Sequence, residues 1–270
     1  DGFTRAQLPP FEQWPVLHLP GVYAAPPRQN AAVELLDQAI AEGRGGHVAL
    51  VTPNGAGGWD ETTYAELSAQ VDALAHVLVG EMGLVPGNRV LLRGFNGRWM
   101  AAAWLATLKA GMVAVTTMPM LRSTELRVII DRAACDAALC DARIADELAT
   151  AATGTPVARA TRVWGGGGDD RLDLALVRQA MPFAPCATAS DDVALIAFTS
   201  GTTGVPKGCL HFHRDVMAMC TGFAAQVLGI QAGDRSIGTP PLAFTFGLGG
   251  LLCFPLAARG TAVLLERATP

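Results

Sequence analysis

The chain has 270 residues, half of them hydrophobic, and a formal net charge of −4. That length and composition support a sizeable buried core and exclude a disordered or low-complexity chain. No surplus or cluster of Lys and Arg exists to neutralise a phosphodiester backbone, so nucleic acid is not an expected partner.

Six cysteines (Cys135, Cys140, Cys186, Cys209, Cys220, Cys253) show neither C-x-x-C spacing nor the density of a disulfide scaffold. They read as reduced, mostly buried thiols of a cytoplasmic protein. The start, Asp1 to Pro10, carries no basic segment followed by an apolar run and no initiator Met, and reads as a processed start.

After a proline-rich, irregular leader to about Arg28, short apolar runs alternate with longer amphipathic segments, the pattern of an α/β protein. Thr63 and Glu66 form a capping box. It opens a helix with Leu67, Val71, Leu74, Leu78 and Met82 on one face, stopped by Gly83. Arg89–Arg93 reads as a strand, Arg98–Lys109 as a helix closed by Gly111, and Met112–Thr117 as the next strand. Helices over Ser123–Ala134 and Ala142–Ala152 then flank the strand Ala137–Cys140, continuing a mostly parallel, doubly wound sheet. The glycine run Gly165–Gly168 reads as a surface loop, since no long apolar strand precedes it and it offers no hydroxyl or lysine.

A second subdomain is expected from residue 190. The spacing gives a strand over Val193–Phe198, a loop, an apolar helix over Arg214–Leu228, a strand over Ser236–Thr239, a helix over Gly247–Ala258 and a strand over Thr261–Leu265. Residues 1–189 would then hold the leader and the first α/β subdomain. No charged residue lies between Arg235 and Arg259, but Pro240, Pro241, Pro255 and several glycines break the run, so no membrane span is expected.

The loop after the first of these strands, Phe198 to Gly208 ("FTSGTTGVPKG"), is dense in small donors. Gly201, Gly204 and Gly208 let main-chain N–H groups approach an anion closely, Thr199, Ser200, Thr202 and Thr203 add hydroxyls, and Lys207 adds a mobile positive charge. Only two lysines, Lys109 and Lys207, occur among the 20 Lys and Arg residues, so lysine here is a chosen residue. The loop therefore reads as a phosphate cradle. It does not fit the pattern G-x-x-x-x-G-K-[ST], because Pro206 and Gly208 stand where Gly and Ser/Thr belong. The dinucleotide pattern also fails, since Leu252 follows Gly247-Leu-Gly249 where a third glycine is required. His211 and His213 would share a face on a strand, but two ligands do not close a metal site, and no metal is expected.

These residues resemble the signature loop of the adenylate-forming (AMP-binding) superfamily, and the segments "TYAELSAQVDALAHVL", "GNRVLLRGFNGRWMAAAWLATLKAGMVAV" and "PMLRSTELRVIIDRA" extend the resemblance along most of the chain. With "PPLAFTFGLGG" and "LPPFEQWPVL" the match is to its aryl-CoA ligase branch, of benzoate and 2-aminobenzoate type. The resemblance implies that Thr199, Ser200, Gly201, Thr202, Thr203, Gly204 and Lys207 hold the β- and γ-phosphates of ATP, with Lys207 and Thr199 as catalytic residues. It also implies that Phe244, Thr245, Phe246 and Gly247 line the acyl pocket. Many relatives carry His at the Phe244 position, so an imidazole role is lost here while an aromatic wall remains. Plain core packing is the other reading of both phenylalanines. By the same resemblance His211 borders the active site.

What the resemblance implies for activity is ATP-dependent conversion of an aromatic carboxylic acid to an acyl-adenylate and then a CoA thioester, with Mg²⁺ and coenzyme A. The family's later motifs, which grip adenine and Mg²⁺ and lead to a C-terminal domain with a catalytic lysine, have no counterpart in these residues. This chain alone is therefore expected not to complete adenylation, and exposed apolar edges are expected, with either dimer contacts or poor solubility. Transfer to a carrier protein, fatty acyl-CoA synthesis and a non-catalytic binding module remain the alternatives.

Overall fold

Beyond a leader that forms only α1 (Phe3–Ala6) and a tight turn at Phe11–Gln13, the chain alternates short strands and helices. In order these are α2 (Gln38–Ala41), β1 (Val48–Pro53), β2 (Trp59–Thr63), α3 (Tyr64–His76), β3 (Arg89–Arg93), α4 (Arg98–Lys109), β4 (Val113–Thr117), α5 (Ser123–Ala133), β5 (Ala137–Asp141), α6 (Ala145–Ala152) and β6 (Thr161–Trp164). There follow β7 (Val193–Thr199), β8 (Lys207–Phe212), α7 (His213–Met219), β9 (Arg235–Gly238), α8 (Thr245–Leu248), α9 (Phe254–Ala257) and β10 (Thr261–Leu264). The structure, a computed structural model, describes residues 1–166, 172, 181–199 and 206–266.

The strands form two sheets, one of six strands in the order β6-β5-β3-β4-β7-β8 and one of four in the order β2-β1-β10-β9. All pairs are parallel except β7 with β8 and β1 with β2. Strands from both sides of residue 190 share each sheet: β7 and β8 extend the sheet of β3 to β6, and β9 and β10 join β1 and β2.

The doubly wound character follows from burial on both faces of the larger sheet. Val90 and Leu92 of β3 belong to one apolar cluster with α3 and α4, while Leu91 belongs to a second with Leu126, Ile129 and Ile130 of α5 and Leu148 of α6. The chain runs from β3 to its neighbour β4 and then crosses to β5 on the far side of β3. The helices after β3 and β4 consequently lie on opposite faces. A crevice opens between the carboxyl ends of such strands, where α/β sheets bind ligands.

Local signals explain the helices that sequence reading places. Thr63 Oγ1 accepts from the Glu66 N–H while the Glu66 carboxylate accepts from the Thr63 N–H, closing the capping box of α3. Leu67, Val71, Leu74 and Leu78 are all fully buried, and Met82 packs against the core from its edge. The buried Tyr64 hydroxyl donates to the Gly260 carbonyl at 2.8 Å, tying α3 to the start of β10.

Two differences from the sequence reading matter. The loop after β7 leads into an antiparallel strand, β8, and only then into α7, which begins at His213. The helix that follows this loop in sequence therefore starts a whole strand beyond it, after Phe212. Second, His211 and His213 do not converge. His211 lies in β8, whereas His213 starts α7, is buried, and accepts the Ala31 N–H on Nδ1 at 3.1 Å. Burial pushes the His213 imidazole down to about 4, so it is neutral near pH 7. Among the described residues no group of three His, Cys, Asp or Glu side chains could hold a metal.

Of the glycine run, Gly165 and Gly166 lie just beyond β6, and Gly167 and Gly168 fall outside the described residues. Among the described residues no helix is long and apolar enough to cross a membrane. All six cysteines are free. Burial pushes the Cys135, Cys140 and Cys220 thiols up to about 12, which removes them as thiolate nucleophiles.

Candidate functional site

The site is built where β7 ends. β7 lies beside β4 in parallel, which brings Phe198 and Thr199 to the same sheet edge as Thr116 and Thr117. The antiparallel ladder of β7 with β8 pairs Phe198 with Gly208 and Thr199 with Lys207. A Cβ at Gly208 would overlap the Ile196 side chain and crowd the Phe198 ring, so this crossing needs glycine. Thr199 and Lys207 are both exposed and stand opposite one another at the mouth of the hairpin. Ser200, Gly201, Thr202, Thr203 and Gly204 lie outside the described residues. Arg132 of α5 donates to the Pro206 carbonyl at 3.1 Å, fixing the returning arm.

Beside this hairpin lies a cleft of about 230 Å³, walled by Thr116, Met118, Leu121, Phe198, Thr199 and Phe244 among others. Phe244 is 48% exposed and Phe246 79%, so neither ring is plain core. Phe244 lines the cleft beside Thr199, whereas Thr245 and Phe246 are exposed beyond its lining. Gly247 is buried, and a Cβ there would overlap the Pro241 carbonyl oxygen. Its place in the structure is to let α8 fold back onto the preceding turn, where the Leu248 N–H donates to the Phe244 carbonyl at 2.7 Å.

Side chains that the motifs do not reveal hold this segment. Asn96, just beyond β3, donates from Nδ2 to the Pro240 carbonyl at 3.1 Å and accepts the Leu242 N–H on Oδ1 at 2.7 Å. Thr116 of β4 donates its hydroxyl to the Ala243 carbonyl at 2.9 Å. Both are buried, and together they fix the main chain that presents Phe244. The only advance signal for Asn96 is a polar residue between the glycines of Gly94-Phe-Asn-Gly97, at the end of an apolar strand. Lys207 makes no ion pair with another described residue, and an exposed ammonium beside a threonine at a hairpin mouth suits a phosphate ligand.

The chain is 32% identical over 252 residues, 93% of its length, to a benzoate–CoA ligase of Thauera aromatica, covering 47% of that protein. It is 31% identical over 191 residues, 67% of its length, to an anthranilate–CoA ligase of Pseudomonas aeruginosa, covering 35% of it. In three dimensions it matches the anthranilate CoA ligase AuaEII, crystallised with anthranoyl-AMP, at a TM-score of 0.83 and 24% identity, over 90% of this chain and 46% of that one. The chain thus spans about half the length of the benzoate–CoA ligase it matches. The profile of the family described as "AMP-binding enzyme" matches residues 37–270, and the chain belongs to that family.

Proposed function

We propose that the full-length protein activates an aromatic carboxylic acid of benzoate or 2-aminobenzoate type, using ATP and then coenzyme A. The observation that carries this reading is the placement of Thr199 and Lys207 at a hairpin mouth beside a cleft walled by Phe244. In the first half-reaction an acid oxygen attacks the α-phosphorus of ATP, the bond to the bridging oxygen breaks, and pyrophosphate leaves with that electron pair. In the second, the thiolate of coenzyme A attacks the acyl carbon and AMP departs, leaving the thioester. Mg²⁺ would arrive with the nucleotide's phosphates.

This chain's residues contribute positioning and charge rather than proton transfer. Lys207 and the Thr199 hydroxyl, with the intervening Ser200, Gly201, Thr202, Thr203 and Gly204, would hold the β- and γ-phosphates in line and meet the charge that grows on pyrophosphate. Phe244 offers a ring against which a flat aryl acid packs, while Asn96 and Thr116 hold that ring's backbone still. Similarity to benzoate– and anthranilate–CoA ligases supports the choice of acid. The test is ATP–pyrophosphate exchange by the full-length protein across benzoate, 2-aminobenzoate, hydroxybenzoates and fatty acids, followed by thioester assay with coenzyme A. Exchange with the aryl acids and thioester formation are expected. Exchange driven only by fatty or amino acids would contradict the reading.

A further inference from the structure

Arg93 ends β3 and is 1% exposed, yet it forms no ion pair with a carboxylate among the described residues. Its guanidinium instead donates to four main-chain carbonyls. Nη1 reaches Met118 at 2.8 Å, Nη2 reaches Pro119 and Leu121 at 2.9 Å each, and Nε reaches Ile144 at 3.2 Å. Three of these acceptors lie in the segment 118–121 that joins β4 to α5, and Met118 and Leu121 line the same cleft as Phe198, Thr199 and Phe244.

A buried cation without a carboxylate partner is costly to desolvate, and an apolar side chain would fill the same place without that cost. The segment 118–121 is not part of a helix or strand, and the one main-chain bond within it, from the Leu121 N–H to the Met118 carbonyl at 3.2 Å, leaves its carbonyls mostly to side-chain donors. A planar fork with five donors in fixed directions can satisfy several such carbonyls at once, which an ammonium cannot match. Asn96 and Thr116 fix the Phe244 side of the cleft in the same manner, by side-chain bonds to main chain. Two segments that line the cleft, 118–121 and the stretch carrying Phe244, are therefore both pinned from the ends of β3 and β4.

We propose that Arg93 is a positioning residue for acid selection: it holds Met118 and Leu121 at the spacing that the acid's ring requires. This rests on the reading of the cleft as the acid pocket and goes beyond it by naming what sets its width. Arg93 donates only to main-chain carbonyls of the cleft-lining segment and its neighbour Ile144, so its removal should affect the acid and leave ATP binding unchanged.

The experiment compares wild type, Arg93→Lys, Arg93→Gln and Leu121→Ala in the full-length protein, measuring KM for the acid, KM for ATP and kcat by pyrophosphate exchange. Arg93→Gln should raise the acid KM about tenfold with the ATP KM unchanged, as expected when a binding wall shifts by a fraction of an ångström. Arg93→Lys should recover part of that loss. Leu121→Ala, which leaves Arg93 in place, should shift preference towards bulkier ring-substituted acids, and it reports on the wall even where an Arg93 variant fails to fold. Loss of folded protein with the acid KM unchanged, or a Leu121→Ala enzyme with wild-type acid preference, would overturn the proposal. The aryl reading fails separately, when wild type exchanges only with non-aryl acids. The same KM comparison is then made with those acids, so the role of Arg93 is still decided.

Discussion

Gly247, a residue of the expected pocket motif, also has a structural reason to be glycine. A methyl group there meets the Pro241 carbonyl oxygen, which the local chain cannot vacate without moving Phe244. Gly247→Ala should lower stability by about 2 kcal/mol, in the range of overpacked sites, and chemical unfolding read by its midpoint checks this. His213 makes a second residue-level prediction. The unfolded imidazole titrates near 6.5 and the folded one at about 4, so between these values the unfolded chain binds a proton that the folded chain does not. Stability from this group is complete above pH 6.5 and falls as the pH drops towards 4, by about 3 kcal/mol in all. Urea titrations across that window should show the decline, and His213→Phe should flatten it while losing the Ala31 hydrogen bond. An undiminished slope in that variant would assign the pH dependence to other groups.

At the scale of elements, α4 ends on the one lysine that sequence reading leaves as an ordinary helix residue. Lys109 is 3% exposed and donates to Asp37 at 2.8 Å and Asp72 at 2.5 Å, joining α4 to α3 and to the helical turn Val33–Asp37. Burial pushes the Asp37 carboxyl above its ordinary range against the pull of this ammonium. Lys109→Met strands two carboxylates and should cost about 3 kcal/mol, and adding Asp37→Asn and Asp72→Asn should recover part of it. Thermal denaturation of the three proteins decides between this and a packing role, for which the added substitutions would recover nothing.

The same elements show what a sequence discloses. Strand β3 and helix α4 emerge with the bounds read from their apolar patterning, because Gly97 and Gly111 punctuate them and both faces are buried. β8 is hidden because Lys207-Gly-Cys-Leu-His-Phe212 has no clean alternation, and its strand state comes from pairing with β7. β1 pairs with β2 across a glycine turn and with β10 in a register that sets Leu50 against Ala262, 212 residues on, and no local signal states that. For the candidate site, motif chemistry singles out Thr199, Lys207 and Phe244. Arg93, Asn96 and Thr116 are not, since they act through carbonyls that only the folded chain brings within reach.

Across the whole molecule, the two sheets share one apolar cluster, and the crevice sits at the carboxyl edge of the larger one. Exposed apolar side chains gather elsewhere, at Phe223, Val227 and Leu228 after α7 and at Ile237 on the edge strand β9. The molecule thus presents the Thr199 hydroxyl and the exposed Lys207 side chain opposite one another at the hairpin mouth, next to an aromatic-walled cleft. The central claim is that this mouth holds the departing pyrophosphate. It is tested most directly by acid-dependent ATP–pyrophosphate exchange in full-length wild type and Lys207→Ala. The account predicts a fall of about 10²-fold or more in kcat for exchange, with the acid KM little changed, as when a charge that stabilises a transition state is removed. Exchange at the wild-type rate in Lys207→Ala would contradict it.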